Sequence, residues 1–158
     1  MSNYRRPRIP GATIFFTVAL QERGSDLLLR EINRLRAAVR QTRTERPFGI
    51  DSWVVLPDHL HCIWRLPDGD DDFPLRWRLI KARFSMGLEA SPDRPSLLKR
   101  REKGIWQRRY WEHHIRDRSD WESHLRYCWH NPVKHGLAAS PADWSFSSFH
   151  RDRRIYGM

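Results

Sequence analysis

His59 and His61 stand one residue apart in Leu56-Pro57-Asp58-His59-Leu60-His61-Cys62-Ile63-Trp64, an apolar run that reads as a β-strand. Side chains alternate along a strand, so His59, His61 and Ile63 share one face while Leu60, Cys62 and Trp64 share the other. Two imidazoles side by side form half of a metal site. The competing reading is a pair of hydrogen-bonded histidines at a sheet edge, and an isolated His-x-His pattern does not decide between them. Further along, Tyr127 and Asn131 lie four residues apart near the end of an amphipathic helix, stacked one turn apart. A hard divalent cation such as Mg2+ or Mn2+, held by His59, His61 and an oxygen ligand, polarises a phosphate oxygen and neutralises charge in a phosphoryl-transfer transition state. Tyr127 would then attack phosphorus. A phenol, with an ordinary pKa of about 10, does so only when its proton is removed or its phenolate is stabilised nearby. Nitrogen ligands alone leave zinc open as the metal.

Tyr110 is the rival nucleophile, in Trp106-Gln107-Arg108-Arg109-Tyr110, where alternation groups it with Glu112 and His114. Its aromatic neighbours favour packing or base stacking. His113, His114, His124, His130 and His135 read as phosphate contacts or helix-end solvation before ligands.

These groups need a scaffold, and the pattern supplies one. Thr13 to Leu20 is a β-branched and aromatic strand buried on both faces. From Asp26, the residues Leu28, Ile32, Leu35 and Val39 mark one helix ending near Arg46-Pro47. Phe48 to Leu56 forms a second strand, and Pro57-Asp58 turns it into the histidine strand as a hairpin. Asp68 to Asp72 reads as a solvated loop. Pro74 opens a helix with Leu75, Leu79, Ala82 and Met86 on its apolar face, and a Pro-, Lys- and Arg-rich loop fills residues 90–104. Ile105 to Ile115 is the fourth strand. Ser119-Asp120-Trp121-Glu122 has the capping-box pattern of a further helix, with Trp121, Leu125, Cys128 and Trp129 inward, His124, Tyr127 and Asn131 on another face, and Pro132 as the stop. The expected fold is α+β: a ferredoxin-like βαββαβ antiparallel sheet with helices on one face and an additional C-terminal catalytic helix. One domain spans 1–158, with a basic arm at 1–12 and a tail at 138–158.

Charge points to the partner. The 158 residues carry 29 Lys+Arg against 19 Asp+Glu, a net charge of +10 and a pI near 10.5, which favours a polyanion. Candidate DNA contacts are Arg5, Arg6 and Arg8 in the arm, Arg83 on the second helix, and Arg108 and Arg109, with Arg76, Lys81 and Lys99 to Lys103 adding charge. The apolar stretches are too short to span a bilayer and the N-terminus lacks a signal-peptide core, so a cytoplasmic protein is expected. Cys62 and Cys128, without CxxC spacing, read as small core residues.

The His59-Leu60-His61 pair resembles the HUH motif of single-tyrosine transposases and relaxases. Phe15-Phe16-Thr17-Val18, Trp53 to Trp64, Trp106-Gln107, Trp111-Glu112-His113 and Asn131-Pro132-Val133-Lys134-His135-Gly136 look more closely like the REP-associated tyrosine transposases, in order from about Tyr4 to about Arg151. That resemblance implies a metal-dependent endonuclease and strand transferase for single-stranded DNA or the hairpins of bacterial repetitive extragenic palindromes, leaving a 5′-phosphotyrosine and a free 3′-OH. It implies Tyr127 as nucleophile, His59 and His61 as metal pair, and Asn131 as third ligand, where relatives often carry the longer Gln. It also implies a bacterial, nucleoid-associated protein acting as a monomer or homodimer. The sequence ends at Met158, soon after Phe149-His150-Arg151-Asp152, where such transposases commonly continue.

Two other functions fit the same element order. A non-catalytic single-stranded nucleic-acid-binding module stacks bases on sheet aromatics, but the aromatic signature of RNA-recognition modules is missing from this sequence. A metal-dependent phosphodiesterase using water would leave Tyr127 idle.

Overall fold

The computed structural model describes residues 5–89 and 104–158. Strands β1 (Thr13–Ala19), β2 (Gly49–Val55), β3 (His59–Arg65) and β4 (Trp111–His114) make one antiparallel sheet in the order β2-β3-β1-β4, the ferredoxin-like arrangement. Three helices lie in the connections: α1 (Leu27–Arg30), α2 (Ile32–Glu45) and α3 (Phe73–Ser85). Alternation then sorts the strands between two cores. On one face Ile14, Phe16, Val18, Leu60, Cys62 and Trp64 pack against Leu35, Val39, Trp77, Ile80 and Phe84 of α2 and α3. On the other, Phe15, Val54 and Ile63 meet Leu125, Cys128, Trp129 and Phe149. These last come from the additional helix α4 (Arg118–Lys134) and from α5 (Phe149–Tyr156), so the sheet is covered on both sides.

Local details differ from the expectations. The first helix is broken at Glu31 (φ −109°, ψ 32°), because its opening turn is pulled to the hairpin by a bond from the Leu28 N–H to the Pro57 carbonyl. Helix α3 is rolled so that Phe73, Trp77, Ile80 and Phe84 are buried, while Ala82 and Met86 are exposed. Large aromatic rings hide about 150–250 Å² each, and stacking Trp77 on Trp64 at 4.4 Å outweighs burying Leu75 or Leu79. Arg76, expected on the basic surface, is 2% exposed and paired with Asp70, so the acidic loop is anchored rather than solvated. Strand β4 is shorter than expected, with Trp106 making only an isolated bridge to Leu20.

Helix α4 begins one residue before Ser119. Asp117 is its cap, accepting the Asp120 N–H at 2.8 Å, and Glu122 pairs with Arg118 instead of reaching back to Ser119. Pro132 does not end it. The ring removes one N–H, yet the helix runs to Lys134 and closes at Gly136 (φ 71°), with Gly136 N–H on the Val133 carbonyl and Leu137 N–H on the Pro132 carbonyl. Residues 138–158, expected as a tail, hold a 3-10 turn at Pro141–Asp143 and α5, whose buried Asp152 accepts from Trp129 Nε1 and Ser148 Oγ. Both cysteines are free and buried, as expected. No helix among the described residues is long and apolar enough to cross a membrane. The loop of residues 90–104, with Lys99 to Lys103, falls almost wholly outside the described residues.

Candidate active site

The hairpin delivers both imidazoles to the α4 side of the sheet. In register, His61 lies opposite Thr17 and His59 opposite Ala19. Thr17 Oγ1 is 2.8 Å from His61 Nδ1, and Asp58 Oδ1 is 2.7 Å from His59 Nδ1, so in each ring Nε2 is the remaining ligand atom. Asp58 is itself fixed by the Gly24 N–H and by Arg23. Burial favours its neutral acid, but those contacts together with His59 outweigh that and hold its pKa below the usual carboxylate range. The two rings are 5.0 Å apart. Burial, reinforced by the nearby His59, His135 and Lys134, drives the His61 pKa down to about 3, and burial also lowers that of His59 against the pull of Asp58. Both stay neutral, the form that binds metal.

Asn131 and Tyr127 arrive from α4. Asn131 is 1% exposed and stands beside His61, and among the described residues neither amide atom nor the buried His61 Nε2 is in hydrogen-bond geometry with another group. Three orphaned buried polar atoms on neighbouring side chains are costly unless a ligand satisfies them. They fit a divalent cation. Tyr127 is 39% exposed, its ring edge-on to His61 at 5.1 Å and to Phe15 at 5.7 Å. Lys134 holds its ammonium 5.5 Å over that ring, and His135 lies 5.3 Å from His59. Asn131, expected on a face away from the core stripe of α4, is buried, while Tyr127 stays partly exposed.

Tyr110 is on the other side of the sheet, packed on Phe16 and Trp77, with the Arg6 guanidinium 3.9 Å over its ring. Burial pushes its pKa up to about 12. A hardened phenol across the sheet from the histidines cannot share their site.

No family model matches the chain. It is 49% identical over 152 residues to the REP-associated tyrosine transposase of Escherichia coli K12, covering 96% of this chain and 85% of that protein. The chain belongs to the REP-associated tyrosine transposase family. A relative in Haemophilus influenzae is 45% identical over 154 residues, covering 96% of this chain and 88% of its own length. A solved REP-associated tyrosine transposase bound to a REP hairpin superimposes with a TM-score of 0.84 at 49% identity, covering 96% of this transposase and 85% of that chain.

The transposase's arginines separate into distinct settings. Arg6, Arg8, Arg108 and Arg109 line a groove of about 1150 Å³ with Trp106 and Tyr110, on the α3 side of the sheet. Arg6 bonds Glu112 and the Tyr110 carbonyl, and Arg8 pairs with Asp71. Arg5, Arg108 and Arg109 are exposed. Arg83 lies apart from that groove, tying α3 to Thr42 and Glu45 of α2. Sequence reasoning missed a second basic hollow of about 500 Å³, where Arg36, Arg40, Arg43 and Arg151 surround Phe48 and Trp53. Its signal was present: Arg36, Arg40 and Arg43 recur at i, i+4 and i+7. The supports Asp58 and Thr17, and Lys134 over the Tyr127 ring, were also missed, since they depend on strand register and on where α4 ends, while His135, read as a phosphate contact or helix-end residue, lies beside His59.

Proposed function

We propose that this transposase cuts single-stranded DNA beside a REP-type hairpin and rejoins it through a 5′-phosphotyrosine on Tyr127, with Mg2+ or Mn2+ held by His59, His61 and Asn131. The observation that carries this reading is the convergence of Tyr127 and the orphaned atoms of His61 and Asn131 on one face of the sheet. When bound, the cation supplies Lewis-acid polarisation of the phosphate and offsets its developing charge. Tyr127 Oη attacks phosphorus: the P–Oη bond forms, the P–O3′ bond breaks, and the electron pair leaves on the 3′ oxygen, which takes up a proton. The phenolic proton passes to solvent, which the exposed ring admits. Attack by an incoming 3′-OH reverses the step and transfers the strand.

Arg5, Arg6, Arg8, Arg108 and Arg109 contact the phosphate backbone in this reading, while Arg83 serves α2–α3 packing. The protein acts on DNA in the cytoplasm, at the nucleoid. Its test is incubation with a hairpin oligonucleotide in Mg2+ or Mn2+, followed by denaturing electrophoresis. A protein–DNA adduct and a free 3′-OH product are expected. Cleavage without adduct favours a water-using phosphodiesterase, and binding without cleavage favours a non-catalytic module; either outcome overturns the proposal.

A further inference from the structure

We propose that His113, Asp120 and His124 form a second cation site, suited to a transition metal such as Zn2+, that clamps β4 to the N-terminal half of α4. Their ligand atoms all lie within 4.8 Å of one another. His113 Nε2 is 2.9 Å from Asp120 Oδ2, and His124 Nδ1 is 3.1 Å from Asp120 Oδ1 and donates to the Asp120 backbone carbonyl at 2.8 Å, a bond that the ion replaces. Zinc bonds of about 2.0–2.2 Å to nitrogen and oxygen set tetrahedral neighbours about 3.3 Å apart. The carboxylate therefore already stands near the spacing from both imidazoles that a bound ion needs. Two nitrogens and one carboxylate suit zinc, cobalt or nickel. Three protein ligands leave a fourth position for water.

The carboxylate is held in place, and the imidazoles turn out of their stack to face one ion. The Asp120 side chain is 7% exposed, and its Oδ2 also accepts the Arg116 backbone N–H at 2.9 Å, with the Arg116 guanidinium at 3.4 Å. The His113 and His124 rings stack at 4.5 Å and 17°. Phe15 separates this cluster from the other histidine pair, its ring 4.8 Å from His124 and 5.7 Å from His61. Loading the cluster fixes the roll of α4 one turn before Tyr127. That consequence rests on Tyr127 being the nucleophile; the binding itself does not.

The experiment titrates Zn2+, and separately Co2+, into the His59→Ala/His61→Ala protein, so that the other site cannot respond. Calorimetry should read one equivalent, Co2+ should develop the visible bands of a tetrahedral ion, and Tm should rise. On the same background His113→Gln and His124→Gln, each checked by circular dichroism, should weaken binding at least about 100-fold, since losing even an outer partner of a ligand costs 10–100-fold. Asp120→Asn provides a third variant should either glutamine protein fail to fold. No binding on the double-alanine background, or binding unchanged in the folded ligand variants, overturns the site; DNA cleavage plays no part in the readout, so failure of the transposition chemistry remains distinguishable.

Discussion

The rings of Tyr127 and His61 stand nearly perpendicular, 78° between planes and 5.1 Å between centroids, although one belongs to α4 and the other to β3. What holds them there is packing: Leu125, Cys128 and Trp129 of the helix sit on Val54 and Ile63 of the sheet. The proposed nucleophile and metal ligand thus meet only when α4 is seated.

The cation should depend on a residue that never touches it. Thr17→Val keeps the shape of a strand side chain but removes the oxygen 2.8 Å from His61 Nδ1. Mn2+ affinity, read by calorimetry, should fall about 10–100-fold, while His59→Ala and His61→Ala, still folded, should abolish hairpin cleavage. Unchanged affinity in Thr17→Val would show that His61 needs no orientation.

Acid should destabilise the metal-free protein through His61. Its folded pKa, about 3, lies below the unfolded value of roughly 6.5, so between these the unfolded chain binds more protons and stability falls as pH falls. His59 shifts in the same direction. The slope is on the order of 1 kcal/mol per pH unit for such a group. Urea midpoints measured at pH 7 and pH 5 should differ, and His61→Gln should flatten the difference; an identical pH dependence in that variant contradicts the assignment.

Much of this was legible in the sequence because it depends on period alone. Alternation put His59 and His61 on one strand face, and the Pro57-Asp58 turn made the hairpin. What depended on tertiary partners was not legible. Asn131 precedes a proline and reads as a helix end, but Gly136 supplies the stop and leaves Asn131 inside the helix and buried. The roll of α3 was set by Trp64 across the core, and residues 138–158 read only as a tail because the partner of Asp152, Trp129, lies 23 residues away.

That last contact makes α5 a support for α4. Asp152→Ala strands the buried Trp129 Nε1–H and frees Arg151 from its carboxylate. A loss of about 1–3 kcal/mol is expected in urea unfolding, with Trp129→Phe costing less in the Asp152→Ala background than in the parent. Fully additive effects would mean that the two side chains stabilise separately.

Hairpin binding should weaken steeply with salt and exceed binding to a random duplex of equal length. Arg109→Ala should lower the slope of log K against log salt by about 1. Equal affinity for hairpin and duplex at one stated salt concentration, or an unchanged slope, would move the contact surface elsewhere.

The most direct measurement is the covalent adduct itself, formed on a hairpin oligonucleotide in Mg2+ or Mn2+ by Tyr127→Phe and Tyr110→Phe proteins side by side. Losing one hydroxyl from Tyr127 leaves Phe15 contact and the histidines in place, so that variant should bind DNA and metal yet form no adduct, while Tyr110→Phe forms it normally. An adduct on Tyr127→Phe, or its loss in Tyr110→Phe alone, would contradict the account.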